Sequence, residues 1–324
     1  MIIPSDPSGR CWIEATVENR YELDKLLISL IAWDPDRRPR LIGTGFAIAA
    51  FGREAIAITA AHNFEEAAKV QRPWTFSHFS ALPEFTVSKT RSLSVDAKLL
   101  RACYLDTVCV IGEVNFVPEI DIAVFTIRLQ GNESRDLLSG RFTIDTSIPE
   151  PGQEVALLGF TSMAIVEEET RGDGFERFVV QRRATLRRGV IADVHLQGNR
   201  VPWPCFETTI PVDGGMSGGP VIWYGPDRTP GETTMVACGL ISRDISPDEA
   251  GASYKVAGCS TMAMLWPSLG LAVHGAYESG GAPMRVFLLE LIQRKIISEV
   301  GSAATKATVA MQEHGRVTIT RSIR

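Results

Sequence analysis

The sequence predicts an all-β protein with one α-helix near its C-terminal end, and three patterns predict it. Apolar residues fall in short runs such as Leu26 to Trp33, Ala55 to Thr59 and Val236 to Ser242, the length of strands rather than helices. Clusters rich in proline, glycine and aspartate separate them, Asp34-Pro35-Asp36-Arg37-Arg38-Pro39 being the clearest. Only from Met284 to about Met311 do apolar residues keep helical spacing, with Val286, Leu289, Ile292, Ile296 and Val300 on one face and Glu290, Arg294, Lys295 and Glu299 between them.

Taken in order, residues 1–22 are polar, carry prolines at 4 and 7, and read as an extension on a first lobe spanning 23–137. That lobe opens with a buried strand, Leu26 to Trp33, followed by strands Leu41 to Ala49 and Ala55 to Thr59. A short helix over Asn63 to Val70 comes next, with Glu65, Glu66 and Lys69 on its wet face. Strands are placed loosely near Phe85 to Val87, Ala97 to Tyr104 and Val108 to Val114, while Phe76-Ser77-His78-Phe79-Ser80 reads as a loop. Ile122 to Leu129 is an alternating strand. The polar stretch from Gly131 to Ser147 links to a second lobe, 138–274, with strands Glu154 to Phe160, Val190 to Val194, Phe206 to Ile210, Val221 to Tyr224 and Val236 to Ser242. Its acidic segment, Glu167 to Glu176, reads as a solvated loop. Arg182-Arg183 and Arg187-Arg188 alternate with apolar residues and read as outward faces of strands. Residues 275–324 hold the helix and a tail in which His314 to Thr320 alternates like a short strand. Packing the helix on the second lobe is expected; docking a regulatory partner is its alternative role.

The chemistry centres on Asp213-Gly214-Gly215-Met216-Ser217-Gly218-Gly219-Pro220, which sets one serine among four glycines. Glycines permit backbone angles closed to other residues, so the amides of Gly215 and Ser217 are placed to converge on one oxygen, as an oxyanion hole requires. Upstream, the apolar run ending at Thr59-Ala60-Ala61 delivers His62 at a strand-to-helix corner, and Asp121 opens the strand Ile122 to Leu129. His78 is the competing histidine, set in the aromatic loop; Asp96 and Asp106 are competing acids, and neither opens so regular a strand.

In the order TAAHN, DIAV and GMSGGP, these stretches resemble the TAAHC, DIAL and GDSGGP motifs of trypsin-like serine peptidases of the chymotrypsin fold. Gly43-Thr44-Gly45-Phe46 is similar to the GSGF strand of that family. The likeness runs weakly over roughly residues 25–270. It implies two six-stranded antiparallel β-barrels, a triad of His62, Asp121 and Ser217, an oxyanion hole of the Gly215 and Ser217 amides, and cleavage of peptide bonds through an acyl-enzyme on Ser217. The strand Val236 to Ser242 resembles the family segment that pairs with extended substrate, which places Ser242 and Asp244 among the substrate-binding residues. Protein or peptide is the implied substrate, and no metal or organic cofactor is implied. The GxSxG pattern also fits the nucleophile elbow of α/β-hydrolases, but that fold needs a helix after the serine and its acid and histidine downstream.

Departures from the family pattern carry information. Asn63 and Asp213 stand where secreted members commonly have cysteines, and the six cysteines show no CxxC spacing, so free buried thiols are expected, a Cys103–Cys109 pair being the open alternative. Met216 replaces the aspartate that zymogen members use to bind a freed amino terminus, so activity is expected not to depend on one, Asp213 being the one nearby acid able to substitute. Pro211 lies six residues before Ser217, where members selecting Lys or Arg carry an aspartate; a basic preference is not supported from there.

With 324 residues, 45% of them hydrophobic, the chain suffices for a two-lobed core. A dispersed net charge of −5 lacks the basic field that phosphate backbones require, so no nucleic-acid partner is expected. No apolar run reaches bilayer length and the first residues lack signal-peptide character, so no membrane partner and a cytoplasmic location are expected. Two other functions use the same residues: a latent, protease-like binding or scaffold module, and an esterase with the same triad.

Overall fold

A computed structural model describes residues 13–14, 23–33, 39–51, 53–70, 76–83, 90–93, 100–104, 107–129, 141–170, 176–224, 235–244, 258–275, 284–301, 307–311 and 316–321. The first part of the chain holds β1 (Ile13–Glu14), β2 (Ile28–Trp33), β3 (Pro39–Phe51), β4 (Glu54–Thr59), helix α1 (Ala61–Val70), β5 (Phe76–Pro83), β6 (Thr90–Leu93), β7 (Leu100–Tyr104), β8 (Thr107–Val117) and β9 (Ile122–Leu129). The second holds β10 (Thr143–Asp145), β11 (Glu154–Thr170), β12 (Glu176–His195), β13 (Cys205–Thr208), β14 (Pro220–Trp223), β15 (Val236–Asp244) and β16 (Ser260–Met264). After these come β17 (Ala272–Gly275), β18 (Met284–Phe287), α2 (Leu288–Gln293), β19 (Glu299–Val300), β20 (Ala307–Met311) and β21 (Arg316–Arg321).

Mostly β, the protein has the expected class. In the second lobe β11, β12, β13, β16, β15 and β14 pair in that order, all antiparallel, and β14 returns to β11, giving a closed six-stranded barrel. In the first lobe β2, β3, β4, β9, β8 and β7 also pair antiparallel around a ring, within a larger sheet extended by β6, β5, β21 and β20. Strands β10 and β19 add in parallel beside β15. Closing a sheet on itself leaves few unpaired edges, and register shifts within β3–β4, β8–β9 and β11–β12 let long strands bend.

Three apolar cores follow from period-2 alternation. In β4, Ala55 and Ala57 point into the first ring with Ile28, Leu30 and Phe125, whereas Ile56 and Ile58 point out to a core shared with the second lobe. In β11, Val155 and Leu157 enter the second barrel with Phe206, Met262 and Met264; Leu158 and Phe160 face the shared core. Both faces of these strands are therefore buried, which explains why their sequences are continuously apolar. Burying each of the larger side chains contributes roughly 1.5–3 kcal/mol. Phe46 and Phe142 meet edge to face at 5.2 Å in the shared core.

Several expectations need correction. Phe76–Pro83 is a strand, not a loop, because β6 and the distant β21 pair with it. The acidic segment Glu167–Thr170 continues β11 against β12. Among the described residues the amphipathic tail is helical only over Leu288–Gln293. Before it, Met284–Phe287 are drawn into pairing with β17. After it, Lys295 adopts φ 59° and the amides of Lys295 and Ile296 turn back to the carbonyls of Ile292 and Leu291, a Schellman stop. Leu288 and Leu291 are buried in the shared core, and Leu289 in the second barrel. Cys109 is buried and forms no disulfide, which removes the Cys103–Cys109 alternative. The expected strand near Phe85 to Val87 lies outside the described residues. No helix among the described residues is long and apolar enough to cross a membrane.

Candidate active site

Strand β4 runs between two cores and ends at Thr59; Ala60 and Ala61, both fully buried, carry the chain into α1, whose second residue is His62. A helix start leaves amides unpaired. Asp121 supplies what they lack from the turn before β9: its backbone carbonyl accepts Ala61 N at 3.2 Å and its Oδ1 accepts His62 N at 3.1 Å. The same carboxylate takes the imidazole Nδ1, at 2.9 Å to Oδ1 and 3.1 Å to Oδ2. An ionised carboxylate only accepts, so Nδ1 carries the proton and Nε2 is left as the basic nitrogen. The His62 side chain is 35% exposed and that of Asp121 5%, so the base is reachable while the acid is sealed.

Asp121 holds φ 52°, a left-handed conformation that costs a non-glycine residue of order 1–2 kcal/mol. Its own amide donates to Pro118 O at 3.1 Å, and the bonds to α1 fix the other side. Sequence reasoning missed one partner here. The hydroxyl of Ser242, buried, donates to Asp121 Oδ2, so the side chain expected at the substrate is spent on the acid. Asp244, two residues on, is exposed at the end of β15.

Ser217 reaches the same place from the second lobe. Its carbonyl accepts Thr44 N at 2.9 Å and Asn63 Nδ2 at 3.0 Å, and its Oγ donates to Ser242 O at 3.0 Å. The serine is thus tied to the residue after His62 and to the residue whose hydroxyl holds Asp121. Gly218, at φ 87°, makes this approach feasible: a Cβ there would lie 2.1 Å from Thr59 Oγ1 and 2.2 Å from Thr44 O. Within the loop the amides of Met216, Gly218 and Gly219 are paired, whereas those of Gly215 and Ser217 have no acceptor among the described residues.

Two further side chains shape the loop. Met216 is fully buried in the second barrel, an apolar anchor directly before the serine. Arg187, expected on an outward face, is instead buried: Nη1 donates to Pro211 O at 2.9 Å and Nη2 to Asp213. The guanidinium reaches both acceptors from β12, whose neighbour in this barrel leads into the loop. Asp213 is therefore already engaged by a side-chain cation.

Other chemistry is limited. Cys205 is pushed up to about 12, by burial first and then by the negative charge of Glu207, so it is not a thiolate at neutral pH. No group of three or more His, Cys, Asp or Glu among the described residues is arranged to hold a metal ion.

The sequence matches the model of the trypsin-like peptidase domain over residues 43–224, more than half of the chain. Among solved structures it is similar to the protease Anisep from Arthrobacter nicotinovorans, at 11% identity and TM-score 0.38, covering 74% of this chain and 88% of that one. It is also similar to the thermostable serine protease AL20 from an extremophilic microorganism, at 11% identity and TM-score 0.39, covering 75% and 92%. Human heparin binding protein matches at 12% identity and TM-score 0.38, covering 78% and 90%. A search of curated protein sequences finds no match.

Proposed function

Because the chain belongs to the trypsin-like peptidase family, we propose that it is a serine endopeptidase in which Ser217 is the nucleophile, His62 the general base and Asp121 the residue that orients the base. The observation that carries this reading is the Asp121–His62 Nδ1 contact of 2.9 Å at a site where Ser217 is hydrogen-bonded to Asn63 and Ser242, the immediate partners of that pair.

Ser217 Oγ first releases Ser242 O and turns its proton to His62 Nε2. Attack on a peptide carbonyl then forms a tetrahedral centre whose oxyanion lies against the amides of Gly215 and Ser217, each worth roughly 2.7–4 kcal/mol where such donors have been removed from other enzymes. The imidazolium gives its proton to the leaving amine as the C–N bond breaks. Water deprotonated by His62 then hydrolyses the ester on Ser217. Asp121, held by Ser242, stabilises the imidazolium at both stages. Met216 offers no charge to a freed amino terminus and Asp213 is taken by Arg187, so activity needs no proteolytic activation through that route.

Labelling by a fluorophosphonate probe tests the reading without a known substrate. Wild-type protein is expected to label at one site, with labelling lost in both Ser217→Ala and His62→Ala. An unlabelled wild type would tell against catalysis and favour a binding module, and preference for esters over matched peptides would favour an esterase.

A further inference from the structure

We infer that three buried first-lobe side chains, Asn63, Thr59 and Thr44, act as a hydrogen-bonded clasp that sets the geometry of the oxyanion site, with Thr44 its principal positioning residue. The inference rests on the reading of Ser217 as the nucleophile.

The direction of every bond in the clasp is determined. Thr44 Oγ1 accepts the amide of Phe160 at 3.1 Å, so its single proton goes to Gly215 O at 2.6 Å. Thr59 Oγ1 accepts Asn63 Nδ2 at 2.9 Å, so its proton goes to Thr44 O at 2.6 Å. The second Nδ2 proton of Asn63 goes to Ser217 O, which also receives Thr44 N. Asn63 is 2% exposed and both threonines are fully buried, so water does not compete. Gly43 leaves the space this requires, since a Cβ on it would fall 2.2 Å from Asn63 Nδ2.

Every donor of this buried network is paired, and departures from the arrangement leave polar groups unpaired. The two carbonyls it grips are those of Gly215 and Ser217. Peptide units are planar, so the unit carrying the Ser217 amide lies between two clamped units, 215–216 and 217–218. The orientation of that amide is thereby set by residues of the opposite lobe. Asn63, adjoining His62, ties the base-bearing helix to the nucleophile's own carbonyl. The oxyanion site is thus complete only while the two lobes are in register.

The test compares Thr44→Val, Thr44→Ser and Asn63→Ala with wild type in fluorophosphonate labelling, resolving the maximal rate from the half-saturating concentration. Hydrogen exchange of the 211–219 segment is followed in parallel. Thr44→Val is expected to lower the maximal rate on the order of 10²-fold, as a misplacement near 1 Å does, leaving half-saturation unchanged. Thr44→Ser, which keeps the hydroxyl, should restore most of the rate, and exchange in 211–219 should accelerate in Thr44→Val and Asn63→Ala. Wild-type rate and exchange in Thr44→Val, an equal loss in Thr44→Ser, or a loss matching only an unfolded fraction, each overturns the clasp. If wild type does not label, the reading of Ser217 fails and exchange alone decides. Acceleration confined to 211–219 then upholds the clasp, and unchanged exchange overturns it.

Discussion

Replacing Arg187 by leucine asks how the glycine-rich 213–220 loop is held from within its own lobe. The arginine side chain is 8% exposed, and its two known contacts differ in kind. Leucine retains apolar bulk but donates nothing. Pro211 is buried and its carbonyl has no other donor among the described residues, so losing Nη1 strands a buried acceptor at a cost of about 1–3 kcal/mol. Asp213 is 53% exposed, and solvent screening limits the lost ion pair to about 1 kcal/mol or less. The expected destabilisation is therefore about 1–4 kcal/mol, most of it from a neutral carbonyl rather than from the charge pair. Urea unfolding followed by tryptophan fluorescence measures it, with Asp213→Asn expected to cost well under half as much. Adding Asp213→Asn to Arg187→Leu should then change stability by no more than about 0.5 kcal/mol. If Asp213→Asn alone matches Arg187→Leu, the ion pair dominates and the reasoning fails.

Two other outcomes are expected. Ser242→Ala removes a hydroxyl from a sealed carboxylate, a bond to a charged group worth about 1.5–3 kcal/mol, and should slow fluorophosphonate labelling roughly 10- to 100-fold; an unchanged rate would show that Asp121 does not need it. Cys205, at about 12 in the native protein against an ordinary 9.0, stays protonated where the unfolded thiol ionises. Its contribution is complete below pH 9, and from there to about pH 12 native stability should fall by up to about 1.4 kcal/mol per pH unit. Cys205→Ala should flatten that part of the curve, and identical slopes in both proteins would refute the assignment.

What was legible in the sequence, and what was not, divides by distance along the chain. His62 and Asp121 stand at the ends of apolar strands where the residue type changes abruptly, and a local reading finds both; their contact follows from strands β4 and β9 being neighbours. Most barrel strands were legible for the same local reason, whereas Ser260–Met264 was not read as one. Asn63, Thr44 and Ser242 stood in motifs that were read, but the contacts they make were not legible, since those bonds go to residues 154, 171 and 121 positions away. Arg187 was misread because alternation assigns a face without saying what covers it. The tail misled differently: apolar residues at helical spacing there are shared among a strand, one helical turn and a half, and a Schellman turn.

The shared core has a consequence for the order in which the molecule can become competent. During synthesis the segment bearing His62 and Asp121 emerges first, and the six strands of its ring all lie within residues 28–129. The serine, the hydroxyl that seals the acid, and Val286, Leu288, Leu291 and Ile297, which complete the packing between the lobes, all emerge later. A nascent chain stalled before them carries two residues of the proposed triad and lacks the third. On the proposed reading, the site is complete only once residues 217–297 have joined the first lobe.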